Sequence, residues 1–169
     1  MVRRLRQSLA GRAILSGEMV EFLEESRCWK VSGITTAEQF FRAVSLLVPD
    51  ATRMLLEGSP HPEIEALLTE AADGADYTAP AGTIWSWPQK EQRFSVRASS
   101  DLFARLAKAA PVHSEAEICS HLHFYRDQEA LVQWFDAFSV PLLVSKAVAR
   151  EVVETFASAV GGVVSDGAV

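Results

Sequence analysis

Cys119, His121 and His123 alternate along the run Ile118–Tyr125, and Asp136 follows after a polar turn. Thiolate, imidazole and carboxylate are the side chains that ligate zinc. On a strand, successive side chains point to opposite faces. Cys119, His121 and His123 then share one face, while Ile118, Ser120, Leu122 and Phe124 share the other. The turn at 126–129 returns the chain through Ala130–Asp136. If paired positions sum to 255, Cys119 faces Asp136, His121 faces Trp134 and His123 faces Val132. A shift of one residue moves Asp136 and Trp134 away, and Asp127-Gln128 is not a favoured two-residue turn, so the register stays open. Two chemistries are compatible with this set. One is a small zinc-dependent hydrolase on Cys119, His121, His123 and Asp136, with His113 as an alternative fourth ligand. The other is a Cys119 nucleophile with His121 as its base.

Spacing weighs against both. Donors at i and i+2 of a strand sit ~6.5–7 Å apart at Cα, so three in a row strain a tetrahedron. A nucleophile and its base must also align within hydrogen-bond reach, which adjacent same-face strand residues seldom do. The His-x-His pair invites comparison with the cupin motif, but Glu115 stands where that motif has Gly, and Glu129 comes too late for its Glu. Phe135-Asp136-Ala137-Phe138 with Pro141-Leu142 resembles stretches of small bacterial proteins, a likeness that implies no activity. The competing expectation is a packed face, with His121 against Trp134 and Cys119 as a small buried hydrophobe.

A second group is electrostatic. The chain carries a net charge of −6, and Met54–Gln89 holds six acids with no Lys or Arg, so that stretch accounts for all of it. Nucleic acid is an unsuitable partner, because neutralising phosphates needs clustered Lys and Arg. A non-catalytic binding or regulatory domain is the leading expectation. It engages a basic protein partner through Glu63, Glu65 and Glu70, as an inhibitor or immunity-type protein does. Trp85 and Trp87, two residues apart on an extended segment, either add to that grip or close the core. The alternative for the acids is an ordinary solvated helix face. Gly58-Ser59-Pro60-His61-Pro62-Glu63 has the geometry of an anion-binding helix start. It lacks a glycine-rich phosphate loop and Lys, so it reads as helix initiation.

Both groups need a scaffold. Met19, Phe22 and Leu23 predict a helix over 16–26. Trp29–Ile34 reads as a strand. Thr35 with Glu38 fits a capping box for a helix whose stripe is Phe40, Phe41, Val44, Leu47 and Val48, stopped by Pro49. Ala51–Glu57 reads as a strand covered on both faces. Pro62 opens a helix carrying Ile64, Leu67 and Leu68. Residues 73–92 read as a loop, and Phe94–Arg97 as a strand. Ser99 or Ser100 caps the next helix, and three strands follow from Ile118 to Val144. Ser145 caps the last helix, which Gly161-Gly162 ends.

This order predicts an α/β (α+β) domain. Its mixed sheet has five to six strands and ends in an antiparallel meander, with helices mainly on one face. At 169 residues, with 49% hydrophobic and 22% charged, one domain suffices. Residues 1–12 form a basic segment and 163–169 a loose tail. No apolar run is long enough for a membrane helix. Two cysteines make a poor disulfide framework, so a cytoplasmic protein is expected. The leading reading needs no cofactor, the alternative needs zinc, and an unguarded sheet edge makes a homodimer compatible with either.

Overall fold

Short apolar-alternating segments build one seven-stranded sheet. In the computed structural model, which describes residues 12–15, 18–21, 23–49, 52–72, 92–127 and 129–167, a small hairpin of β1 (Arg12–Leu15) and β2 (Glu18–Glu21) comes first. The main sheet contains β3 (Cys28–Ser32), β4 (Arg53–Gly58), β5 (Gln92–Arg97), β6 (His121–Arg126), β7 (Glu129–Trp134), β8 (Leu142–Ser145) and β9 (Val163–Asp166). Their spatial order is β5-β4-β6-β7-β8-β3-β9, and every neighbouring pair is antiparallel. Among the described residues four α-helices accompany them: α1 (Ala37–Ala43), α2 (Pro62–Ala71), α3 (Ser100–Ala109) and α4 (Arg150–Ala159).

The α+β class agrees with the sequence, and the sheet is larger than expected. It is also antiparallel throughout rather than mixed. A strand–helix–strand order suggests a parallel crossover only when the connection carries the chain back to the starting end. Here α2 follows β4 in the chain, yet β5 pairs with β4 antiparallel.

One face of the sheet carries the core. Met54, Leu56, Val96, Leu122, Phe124, Val132, Trp134, Leu142 and Val144 join a single buried cluster with the apolar stripes of the helices. Phe40 of α1 lies at its centre, fully buried, with ring centroids 5.3 Å from Phe41, 5.0 Å from Trp134 and 6.0 Å from Phe156. Such aromatic contacts each add about 0.5–1.5 kcal/mol beyond area burial. Trp134 also donates its indole N–H to the Val140 carbonyl at 2.7 Å, which satisfies the ring's polar atom.

Several local expectations change. Residues 18–21 are strand rather than helix, and Glu25–Arg27 makes a 3-10 turn. An amphipathic spacing this short does not outweigh strand pairing, and Arg12 stands opposite Glu21 in the hairpin ladder. The cap of α1 is Thr36, not Thr35: its hydroxyl accepts from Gln39 N–H at 3.3 Å, and Glu38 pairs instead with Arg42. The last helix is preceded by Ala149, while the Ser145 hydroxyl accepts from Ala147 N–H. Residues 163–166, expected as a loose tail, are β9 and pair with β3. Gly161, at φ 69°, ends α4 and turns the chain into that edge.

Candidate functional site

The histidine hairpin has a two-residue turn, with Arg126 paired to Glu129 and Asp127 at φ 53°. An extra residue, Leu131, then bulges from β7. The register changes between Phe124 and Tyr125, so Leu122 faces Trp134 and His123 faces Gln133. The expected pairs His121–Trp134 and His123–Val132 are therefore not formed. The bulge turns Trp134 into the core and leaves the histidines on the opposite face.

On that face His121 and His123 have ring centroids 6.4 Å apart, nearly parallel, and Phe135 lies 5.8 and 4.7 Å from them. Asp136 meets His121 through its backbone: Asp136 N–H donates to His121 Nδ1 at 3.0 Å, while the carboxylate oxygen stands 3.9 Å away. In the neutral ring this places the proton on Nε2. Cys119 does not share this face. β6 begins only at His121, after a 3-10 turn at Glu115–Glu117, and Cys119 lies in the core cluster. Burial pushes its thiol up to about 12. Cys28 is likewise buried, its thiol pushed up to about 11, first by burial and then by Glu25. Neither is a thiolate at neutral pH. The hairpin thus brings together His121, His123 and Asp136, but not Cys119.

Helix α2 sets out the acidic residues. Ile64 and Leu68 are buried, and Glu63 and Glu70 point outward with Glu65 half-buried. Glu70 is engaged by Arg105 of α3 in a two-pronged contact at 3.1 and 2.5 Å. That guanidinium holds the Glu70 carboxyl below the usual range. Glu57, in the same acidic stretch, turns away and pairs with Arg93 at 2.9 Å. Trp85 and Trp87 fall outside the described residues.

A third constellation forms at the N-terminal end of α2. His61 occupies the cap position, its Nδ1 accepting from Glu63 N–H at 3.3 Å, and the His61 backbone N–H donates to the Glu117 carbonyl at 2.7 Å. His113 follows the 3-10 turn Ala110–Val112, and its ring lies 4.2 Å from that of His61, tilted by 32°. His113 Nε2 is 3.1 Å from Glu63 Oε2. One ligating atom from each of His61, Glu63 and His113 lies within 4.8 Å of the others, and this is the group of three such donors among the described residues. Beside them, the Glu117 carboxylate accepts from Ser114 N–H and Oγ, both at 2.8 Å. Those bonds, with lesser help from His113 and His61, hold its carboxyl below the usual range.

Backbone pairing brings the two segments together. Ser120 N–H donates to the Glu57 carbonyl at 2.8 Å, continuing the β4–β6 ladder to His61 N–H on Glu117. Gly58 makes the approach possible, since a Cβ there would stand 2.8 Å from Ser120 N. His61 and Glu63 are visible in sequence as a pair two residues apart. His113, fifty residues beyond Glu63, joins them only through this pairing. Comparison with protein-family models, curated proteins and solved structures returns no match.

Proposed function

We propose that this chain is a non-catalytic binding domain whose working surface is the N-terminal end of α2 together with residues 113–117. The surface attracts positively charged ligands, and its macromolecular target is a protein with a basic contact face. The observation that supports this reading is the meeting of Glu63 and Glu117, from segments far apart in sequence, on one patch with His61 and His113. Glu65, in the same turn of α2, is half-buried and about 200° around the helix from Glu63, so it adds nearby charge rather than a contact. Glu70 contributes less, because Arg105 already offsets its charge. Carboxylates arranged in this way steer a basic partner and select against acidic ones, and salt screens the attraction beyond a Debye length of about 8–10 Å.

The test is capture of partners from the source cell by the full chain, at low and high salt, in the presence of chelator. The wild type and a Glu70→Gln variant should retain a basic protein at low salt and release it at high salt. A triple variant, Glu63→Lys, Glu65→Lys and Glu117→Lys, should lose it while keeping its circular dichroism spectrum. Equal capture by the triple variant, or no salt-sensitive partner, refutes the proposal.

A further inference from the structure

We propose that His61, Glu63 and His113 hold a divalent transition-metal ion, zinc being the representative case. The inference concerns the surface just described, but it needs no protein partner. Imidazole and carboxylate are zinc's nitrogen and oxygen ligands, with bonds of about 2.0–2.2 Å. Two ligands on one tetrahedral ion are then about 3.4 Å apart. His113 Nε2 and Glu63 Oε2, at 3.1 Å, already have that separation. The set as a whole lies within 4.8 Å, so closure asks for little more than 1 Å of side-chain adjustment. Glu63 and His61 are exposed and can turn, whereas the His113 side chain is 7% exposed and held in place. A rigid ligand with two adjustable ones suits an ion that fixes its own geometry.

Each contact has a second use that coordination replaces. The proton now between His113 Nε2 and Glu63 Oε2 gives way to the ion and passes to the other ring nitrogen or to solvent. The His61 Nδ1 contact with Glu63 N–H is long, at 3.3 Å, so giving it up loses only a weak cap. One term opposes binding: the positive end of the α2 dipole disfavours a cation. The Glu63 charge and the neighbouring Glu117 offset it. Glu117 is fixed by Ser114 rather than aimed at the three ligands, so it acts as a nearby charge and not as a ligand. Three side chains leave a coordination position for water or for a donor from another molecule. The nitrogen-rich set favours zinc, cobalt, nickel or copper over magnesium and calcium, which prefer oxygen.

The deciding experiment titrates the full chain, stripped with chelator, with zinc chloride by calorimetry, and with cobalt chloride by visible absorption. One zinc per chain is expected, with cobalt bands of low-symmetry nitrogen–oxygen coordination. Glu63→Gln removes the charge at an exposed position without disturbing packing. It and His113→Ala should each weaken zinc binding by more than the roughly 10–100-fold that loss of a supporting contact costs. His121→Ala with His123→Ala should leave binding unchanged. Absence of zinc binding, or binding that survives both Glu63→Gln and His113→Ala, overturns the proposal. So does binding lost only with His121 and His123. Partner capture is measured in chelator, so the two readings fail separately: capture without zinc binding removes the metal alone, and zinc binding without capture removes the protein partner alone.

Discussion

Replacing Gly58 by alanine should destabilise the protein through two separable effects. Gly58 has φ 148°, a conformation that L-residues rarely adopt. Holding a non-glycine residue in such a region costs of order 1–3 kcal/mol. The new Cβ would also stand 2.8 Å from Ser120 N and 3.3 Å from Cys119 Cα. Both atoms are backbone, and Ser120 N–H is bonded to the Glu57 carbonyl at 2.8 Å, so relief of the clash must break or stretch that bond. Overpacking of this kind costs about 1–3 kcal/mol more. Together the expected loss is about 2–6 kcal/mol, and for a chain of this size each kcal/mol lowers Tm by about 2–4 °C. Gly161→Ala provides the comparison. That glycine also has positive φ, at 69°, but nothing lies within 4 Å of its Cβ position. Only the conformational cost of about 1–2 kcal/mol applies there. Urea and thermal unfolding of both variants measure the difference. If Gly58→Ala costs no more than Gly161→Ala, the close approach of residues 57–61 to 117–120 is not what holds His61 in place.

Three further outcomes follow from the same structure. Both thiols are buried and their pKa values raised, so a thiol reagent at pH 8 should label neither Cys28 nor Cys119 in the native protein and both after denaturation; rapid native labelling contradicts this packing. The Glu117 carboxyl lies below its ordinary value of 4.5, so its contribution to stability is complete above that pH and disappears as pH falls through the lower folded value; Glu117→Gln should flatten stability across that acid range, and an unchanged acid profile removes Ser114 as the cause. His123→Ala deletes a ring that is 8% exposed and packed on Phe135, and should cost about 1–3 kcal/mol by urea unfolding; a neutral effect means the ring carries no packing.

Much of the scaffold was legible because its signals are local. Ser99, one of the two serines that the sequence offers, caps α3, its hydroxyl accepting from Leu102 N–H. Met54, Leu55 and Leu56 are all buried, as consecutive apolar residues on a doubly covered strand require. Direction and edges were not legible, since they depend on which strands meet. Val163–Asp166 looks like a tail by composition, yet it completes the edge beside β3. The hairpin register, open in the sequence, was not legible for a similar reason. Strand alternation assumes no bulge, and one extra residue at Leu131 moves every pair beyond it by one position.

The same reasoning explains why one candidate set lost Cys119 while another assembled. Cys119, His121 and His123 are close in sequence, but strand alternation governs their faces only where a strand exists. β6 starts at His121, so Cys119 falls under the turn before it and packs into the core. His61, Glu63 and His113 have no shared local signature. Three tertiary constraints bring them together: the buried anchors Ile64 and Leu68 fix α2, the extended β4–β6 pairing carries Glu117 to His61, and the turn at Ala110–Val112 sets His113 over the His61 ring. Disturbing any one should loosen the group without touching a donor atom. Gly58→Ala acts on the second of these constraints, and it should therefore weaken zinc binding as well as stability, whereas Gly161→Ala should lower stability and leave zinc binding as it was. Equal zinc affinity in both variants would mean that the three side chains find one another without the pairing, and that the geometry of this surface is set locally after all.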